Sequence, residues 1–219
     1  TLTFPGGVQA IDNVMVQDIA AATNTLTCDE CVNIVNNSGT WNFTNERVSR
    51  DLYWIGDNGN YSDPAEWSTT SGGANDVTCS PTAVDNVFFD VNSFSAGSQQ
   101  VEMDQHFLWC NNMDWTGSVN SPTFDDAVVN TVMINGDLTF ISAMAVNGTN
   151  ATWVFRSSVA ELINTQNFEL GGTTDPVFFV GGGTFTIESD MNVGGDLEIS
   201  AGTTLDVLPS AGVAGVDEK

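Results

Sequence analysis

Basic residues are the scarcest component of this 219-residue chain. Lysine and arginine together number four, against 28 aspartate and glutamate residues, so the formal net charge is −24 at pH 7. Nucleic-acid binding needs a basic patch, which four scattered residues cannot form, and we expect no nucleic-acid partner. Anionic membrane surfaces would repel the chain. The charge instead favours solubility, divalent cations or a salty exterior.

Long apolar runs are also missing. No stretch of 18 apolar residues occurs, so we expect no transmembrane helix and no direct insertion into a membrane. The first residues, Thr1 to Phe4, lack the basic segment of a signal peptide. A secreted protein would already have lost that peptide. The abrupt start and end of the sequence lead us to expect a piece of something longer.

Histidine occurs once, as His106, which leaves little material for acid–base catalysis. A Ser-His-Asp triad would have to use His106, and no nucleophile-elbow sequence accompanies it. We therefore predict a protein that is not an enzyme, with no catalytic residues and no required cofactor. A β-helix carbohydrate-active enzyme stays an alternative, because a glycosidase needs only two suitably spaced carboxylates.

Cysteine occurs four times, at Cys28, Cys31, Cys79 and Cys110, which allows three pairings. We favour two structural disulfides, Cys28–Cys31 and Cys79–Cys110, and hence an oxidising compartment. Redox and zinc roles are weaker alternatives. Acidic residues separate Cys28 from Cys31, which disfavours a thiolate, and a zinc site could add only His106 to the cysteines.

Short runs of Val, Ile, Phe and Thr, broken by Gly, Asn and Asp, predict an all-β chain. Near the C-terminus the apolar residues come in alternating pairs separated by tight polar corners. The pairs are Phe185 and Ile187, Met191 and Val193, Leu197 and Ile199, and Leu205 and Val207. Ordinary sheet strands run to about five or six residues. The shorter spacing predicts a right-handed parallel β-solenoid (a β-helix), with a β-sandwich as the alternative.

Internal similarities support repeated β-units. Residues 132–140 align with 191–199 at an offset of 59 residues, and both segments contain a Gly-Asp corner between apolar pairs. We interpret the offset as two or three solenoid rungs. Two shorter similarities join 10–14 to 83–87 and 39–43 to 151–155.

The segment from Tyr53 to Gly117 differs, because it holds four of the six tryptophans and many turn-forming residues. We read it as a loop-rich opening segment stapled by Cys79–Cys110. Its most distinctive residues are Tyr53-Trp54-Ile55-Gly56, Gly59-Asn60-Tyr61-Ser62-Asp63-Pro64-Ala65-Glu66-Trp67-Ser68, Ser71-Gly72-Gly73, Pro81, Asp85-Asn86-Val87-Phe88-Phe89-Asp90, Ser93-Phe94 and Cys110-Asn111-Asn112-Met113-Asp114-Trp115-Thr116-Gly117.

This pattern resembles a repeat module of very large surface proteins of gliding and marine Bacteroidetes. In those modules W-x-G-x-x-G-N-W/Y-x-D-P-x-x-W-S opens the unit and solenoid-like β-repeats follow. The resemblance covers about 53–207 and implies an exported adhesin or cell-surface fibre, often carried by the type IX secretion route. Its expected partners are neighbouring copies of the same repeat.

The resemblance also divides the chain. Residues 1–52 are expected to be the β-rich tail of a preceding repeat, 53–120 the Trp-rich disulfide-bonded opening segment, and 121–219 the solenoid rungs. We therefore predict a secreted, extracellular structural and adhesive repeat unit of a bacterial surface filament. A glycan-binding module is the alternative function, with surface polysaccharide as partner.

Two candidate sites lie in the opening segment. Oxygen ligands for calcium crowd one turn-rich loop, at Asp57, Asn58, Asn60 and Asp63. Turn chemistry alone is the competing explanation, because Asp and Asn side chains hydrogen-bond nearby backbone without any ion. Aromatic side chains for stacking on sugars are the second candidate, at Trp54, Tyr61 and Trp67.

Overall fold

A computed structural model describes residues 9–12, 15–16, 20–29, 32–33, 38–44, 48–125, 130–147, 151–209 and 211–214. The chain divides into two compact units, one of residues 1–49 with 82–84 and one of residues 50–81 with 85–219. No helix among the described residues has the length and apolar character to cross a membrane.

The described residues of the first unit form parallel strand pairs. Its strands are β1 (Gln9–Asp12), β2 (Met15–Val16), β3 (Ala20–Asp29), β4 (Val32–Asn33) and β5 (Ser38–Thr44). β3 pairs with both β1 and β5, and β2 pairs with β4. Trp41 stacks on Phe43 with ring centroids 5.4 Å apart. Cys31 lies outside the described residues, and so does its predicted disulfide with Cys28.

Among its described residues the second unit contains twenty strands and one 3₁₀ turn. The first ten strands are β6 (Asp51–Trp54), β7 (Gly59–Asn60), β8 (Trp67–Ser68), β9 (Asn86–Phe88), β10 (Gln100–Glu102), β11 (Phe107–Cys110), β12 (Met113–Asp114), β13 (Thr123–Asp125), β14 (Asn130–Ile134) and β15 (Leu138–Thr139). The last ten are β16 (Ala145–Asn147), β17 (Ala151–Arg156), β18 (Ala160–Asn164), β19 (Glu169–Leu170), β20 (Val177–Val180), β21 (Thr184–Ile187), β22 (Met191–Val193), β23 (Leu197–Ile199), β24 (Thr204–Val207) and β25 (Val213–Ala214). The 3₁₀ turn spans Pro64–Glu66.

These strands form the long faces of a parallel β-solenoid of about five turns. An eight-stranded sheet has the order β24-β21-β18-β15-β12-β9-β6-β8, and a five-stranded sheet has the order β11-β14-β17-β20-β23. A four-stranded sheet, β16-β13-β10-β7, and a three-stranded sheet, β19-β22-β25, occupy the remaining place in the circuit. Every strand pair in these sheets is parallel except β6 with β8. The predicted all-β parallel solenoid is confirmed, and the β-sandwich alternative is wrong.

Apolar residues at matching positions of successive rungs explain why the chain coils. On the eight-stranded sheet one inward column contains Leu52, Val87, Met113, Leu138, Ile163, Ile187 and Val207. The first six of these side chains are fully buried. Because side chains alternate along a strand, each rung must return to the same column to bury its apolar pair. The alternating pairs found in the sequence at 185–207 lie on β21, β22, β23 and β24, as predicted.

Aromatic rings fill the interior of the first rungs. Phe89 stacks on Trp115 with centroids 3.8 Å apart, and Phe124 meets Trp115 edge to face at 5.7 Å. Further along the axis Phe155 stacks on Phe179 at 4.9 Å. Such ring pairs add stabilisation beyond the area they bury. Most tryptophans of the second unit are therefore core residues.

The corners require close approach of neighbouring rungs. Asn111 donates a side-chain hydrogen bond to Asn86 Oδ1 at 3.0 Å, one rung below. An added Cβ at Gly183 would lie 2.8 Å from the carbonyl oxygen of Ser157, although the glycine has an ordinary φ. Glycine is needed there because no methyl group fits between two backbone layers.

The internal similarity at an offset of 59 residues does not correspond to two or three solenoid rungs, as the sequence analysis predicted. Residues 132–140 contain the corner between β14 and β15, whereas 191–199 contain the corner between β22 and β23. These corners join different pairs of sheets, so the offset is not a whole number of rungs. The similarity reflects shared corner chemistry, since Gly136 and Gly195 both pack against the preceding rung.

The predicted disulfide between Cys79 and Cys110 is wrong. Both residues carry thiols. Cys110 is fully buried and lies beside Ile134 in an inward column of the five-stranded sheet. Cys79 Sγ instead accepts a hydrogen bond from Arg50 Nη1 at 3.3 Å. Sequence spacing alone could not decide the pairing, since a disulfide requires specific Cα and Cβ geometry.

Candidate binding surfaces

The predicted glycan-binding aromatics form a plug inside the first rung. Trp54 and Trp67 meet edge to face with centroids 5.1 Å apart, and Tyr61 meets Trp67 at the same distance. Trp67 Nε1 donates to the carbonyl oxygen of Tyr61 at 2.9 Å, and the Tyr61 hydroxyl donates to that of Trp109 at 3.0 Å. All three side chains are buried. They present no ring face on which a sugar could stack.

The two glycines of the same motif make room for an acidic side chain. Glu66 lies over Gly56 and Gly59, and an added Cβ at Gly59 would fall 2.6 Å from Glu66 Cδ. Desolvation by burial, and then the nearby charges of Asp63 and Asp57, raise the pKa of Glu66. The W-x-G-x-x-G pattern therefore has a packing explanation.

The predicted calcium loop uses its oxygens for hydrogen bonds. Asp57 accepts from Ser95 N at 2.6 Å and from Ser95 Oγ at 2.8 Å, and the backbone bond is the main reason its pKa is lowered. Asn58 Oδ1 accepts from Gln100 N at 2.7 Å.

The remaining predicted ligands, Asp63 and Asn60, belong to a local turn. Asp63 Oδ1 accepts from Ala65 N at 2.8 Å and caps the 3₁₀ turn, while the carbonyl oxygen of Asn60 accepts from Asp63 N at 3.1 Å. Within the described part of the chain no three His, Cys, Asp or Glu side chains are grouped for a metal. Bonds to the neighbouring rung account for the Asp57 and Asn58 oxygens and a local turn accounts for Asp63, while calcium stays a prediction.

A partly buried ion pair at the start of the second unit was not anticipated from the sequence. Arg50 Nε and Nη2 donate to the two carboxylate oxygens of Asp85 at 2.9 and 2.7 Å, and Arg50 N also donates to Oδ1. Asp85 is 1% exposed, and its carboxylate raises the pKa of Arg50. Only the scarcity of arginine hinted that Arg50 has a specific role. The pair joins β6 to β9 and therefore has a structural role.

No described strand covers the outer edges of the last described rung, which we call the open C-terminal rung. β23, β24 and β25 are the last strands of their sheets, and no other described strand pairs with their outer edges. Ile199 is 46% exposed and Val207 is 38% exposed, whereas Phe179 and Ile187, at the same positions one rung earlier, are fully buried. At the opposite end of the eight-stranded sheet, β8 covers β6 in antiparallel orientation. The open C-terminal rung therefore combines exposed apolar side chains with strand edges that no described strand pairs.

The outer face of the five-stranded sheet carries a second exposed apolar feature. Trp109, Met133, Val154 and Phe178 occupy one outward column, in register across four neighbouring strands. All four are partly exposed, and Phe107, in the adjacent column, is 55% exposed. We call these five residues the apolar stripe. His106, the single histidine, lies exposed directly before Phe107.

A signal for the apolar stripe was present in the sequence. The strands read Phe-Leu-Trp-Cys, Thr-Val-Met-Ile, Thr-Trp-Val-Phe and Val-Phe-Phe-Val, without the alternation expected for a sheet with one solvated face. Continuous apolar runs are typical of strands covered on both faces.

Comparisons with known proteins returned no match: no family model, no curated protein and no solved structure corresponds to this chain.

Proposed function

We propose that this chain is a non-enzymatic structural and adhesive repeat unit of an exported bacterial surface filament or giant adhesin. The observation that carries the proposal is the open C-terminal rung. Its strand edges and its exposed Ile199 and Val207 are what a further parallel rung would cover.

The physics of solenoids supports this assignment. Each rung contacts only its neighbours, and natural solenoids end in capping elements with polar outer faces. An uncapped edge of apolar strands is a template for further pairing, which proteins normally block. In a tandem array the following copy would cover that edge. The first unit has suitable strands, because β1, β3 and β5 are themselves stacked in parallel.

The exported location rests on sequence arguments. The charge of −24 suits a salty exterior, and the Trp54–Trp67 pattern resembles the opening of Bacteroidetes surface repeats. The buried aromatic plug gives that pattern a role in building a stiff rod. The proposal also includes calcium binding at the acidic loops, contact with surface polysaccharide and a role in gliding motility.

Cryo-electron microscopy of the native assembly, with and without a calcium chelator, tests the proposal. We expect long filaments with one copy of this unit per axial repeat. Collapse on chelation would assign the acidic loops to calcium, and unchanged filaments would assign them to turn chemistry. A discrete monomer with a carboxylate-lined and tryptophan-lined cleft would overturn the filament proposal.

A further inference from the structure

The apolar stripe lies on the part of the solenoid surface with the lowest acidic content among the described strands. Strands β11, β14, β17 and β20 contain no Asp or Glu, although the chain has 28 of them. Glu198, on β23, is the first acidic residue in the column that begins with Trp109. Arg156, one of only four basic residues, lies on the same face.

This distribution restricts the partner. The negative charge of the rest of the molecule would repel a strongly anionic partner. A strongly cationic partner would find no carboxylate to pair with on the apolar stripe. The matching chemistry is an uncharged partner with both apolar and hydroxyl groups. Thr131 and Thr152 lie in register beside Phe107 and add hydroxyls next to the rings.

The size of the face argues against a second copy of the chain as occupant. Four strands about 4.8 Å apart, each with about four residues at 3.3 Å, form a face of roughly 250 Å². A stable protein dimer buries about 800 Å² on each partner. A face of about 19 Å by 13 Å is too small for such an interface, but it accommodates a short segment of one linear polymer laid along the column.

We propose that the apolar stripe binds a neutral polysaccharide, with Trp109, Phe107 and Phe178 stacking on sugar rings. This inference deepens the adhesive part of the proposed function and does not depend on end-to-end stacking. It replaces the buried residues Trp54, Tyr61 and Trp67 as the glycan contact, and uses side chains that the structure leaves accessible.

The test measures binding of the whole chain to insoluble cellulose, chitin, soluble mixed-linkage β-glucan and mannan, with polygalacturonate as an acidic comparator. Trp109→Ala and Phe178→Thr remove rings from the stripe. Phe88→Ala is the matched control, because Phe88 is an outward aromatic that stacks on Tyr53 at 5.1 Å on the eight-stranded sheet. Circular dichroism and melting curves verify that each variant is folded.

We expect binding to at least one neutral polysaccharide, unchanged between low and high salt. Each stripe variant should weaken it about fivefold to tenfold, as the loss of one aromatic contact implies, and Phe88→Ala should leave it unchanged. Absence of binding to every neutral probe would overturn the proposal, and so would equal losses in all three variants. Concentration-dependent self-association that Trp109→Ala abolishes would overturn it in favour of a second copy. Filaments can still form in each of these cases, so this test fails independently of the filament proposal.

Discussion

Substitution of Ile199 by alanine provides a thermodynamic test of the open rung. Ile199 is the last member of an inward column that also contains Cys110, Ile134, Phe155 and Phe179. The other four are fully buried, and Ile199 is 46% exposed. The substitution would be made in the single chain and in the first of two copies joined head to tail.

The expected magnitudes follow from burial. Full burial of an isoleucine side chain contributes about 1.5–3 kcal/mol, so covering the exposed half of Ile199 adds about 1 kcal/mol. In the single chain Ile199→Ala should therefore lower the free energy of unfolding by only about 1–2 kcal/mol. In the joined chain a following rung covers the site, and the loss should reach the range of about 2–5 kcal/mol typical of buried isoleucine.

Ile134→Ala is the matched control, because it makes the same change in the same column at a site that is fully buried in both contexts. Its cost should be equal in the single and the joined chain. Urea unfolding followed by tryptophan fluorescence gives the free energies, and hydrogen exchange of the β23 amides gives an independent measure of edge pairing. Equal costs of Ile199→Ala in the two contexts, with β23 amides exchanging equally fast, would refute the reasoning.

Three further predictions concern the opening segment and the corners. Gly183→Ala should destabilise the second unit far more than Gly182→Ala in thermal unfolding. The first adds a methyl group against the Ser157 and Val159 backbone, whereas the second meets no atom within 4 Å and costs only a positive φ of 84°; similar melting temperatures would contradict the close packing of rungs. Glu66→Gln should raise stability at pH 7 and leave it unchanged below pH about 4, near the unfolded pKa of a glutamate. The pKa of Glu66 is higher in the folded state than in the unfolded state. The stability that protonation of Glu66 contributes is therefore full below the unfolded-state pKa and is lost as the pH rises through the folded-state pKa. A variant that is more stable than the wild-type chain only at acidic pH would contradict this direction. Alkylation of the native chain without reductant should modify Cys79 and spare Cys110 until urea is added. Cys110 is buried, and that burial raises the pKa of its thiol. A disulfide-linked Cys79–Cys110 peptide pair that resists alkylation would show that the two residues are not free thiols.

The sequence by itself determined the fold class. The apolar pairs from Phe185 to Val207, with polar corners between them, can bury their side chains only if each rung returns to the same column. Local spacing carries this information, so the solenoid was predictable without any knowledge of distant contacts. The near absence of basic residues likewise predicts, from composition alone, that the chain does not bind nucleic acid.

Tertiary structure decided everything that depends on which residues meet and which stay at the surface. Trp54, Tyr61 and Trp67 have the residue types of a sugar site but are buried in the core. Trp109 points outward because it alternates along β11 with the buried residues Leu108 and Cys110. The oxygens of Asp57 and Asn58 found partners in Ser95 and Gln100, 38 and 42 residues away. Cys79 accepts a hydrogen bond from Arg50, whereas the side chain of Cys110 turns into the core. Residue type and spacing set the local conformation, but the stacking of rungs assigns each side chain to the interior or to solvent.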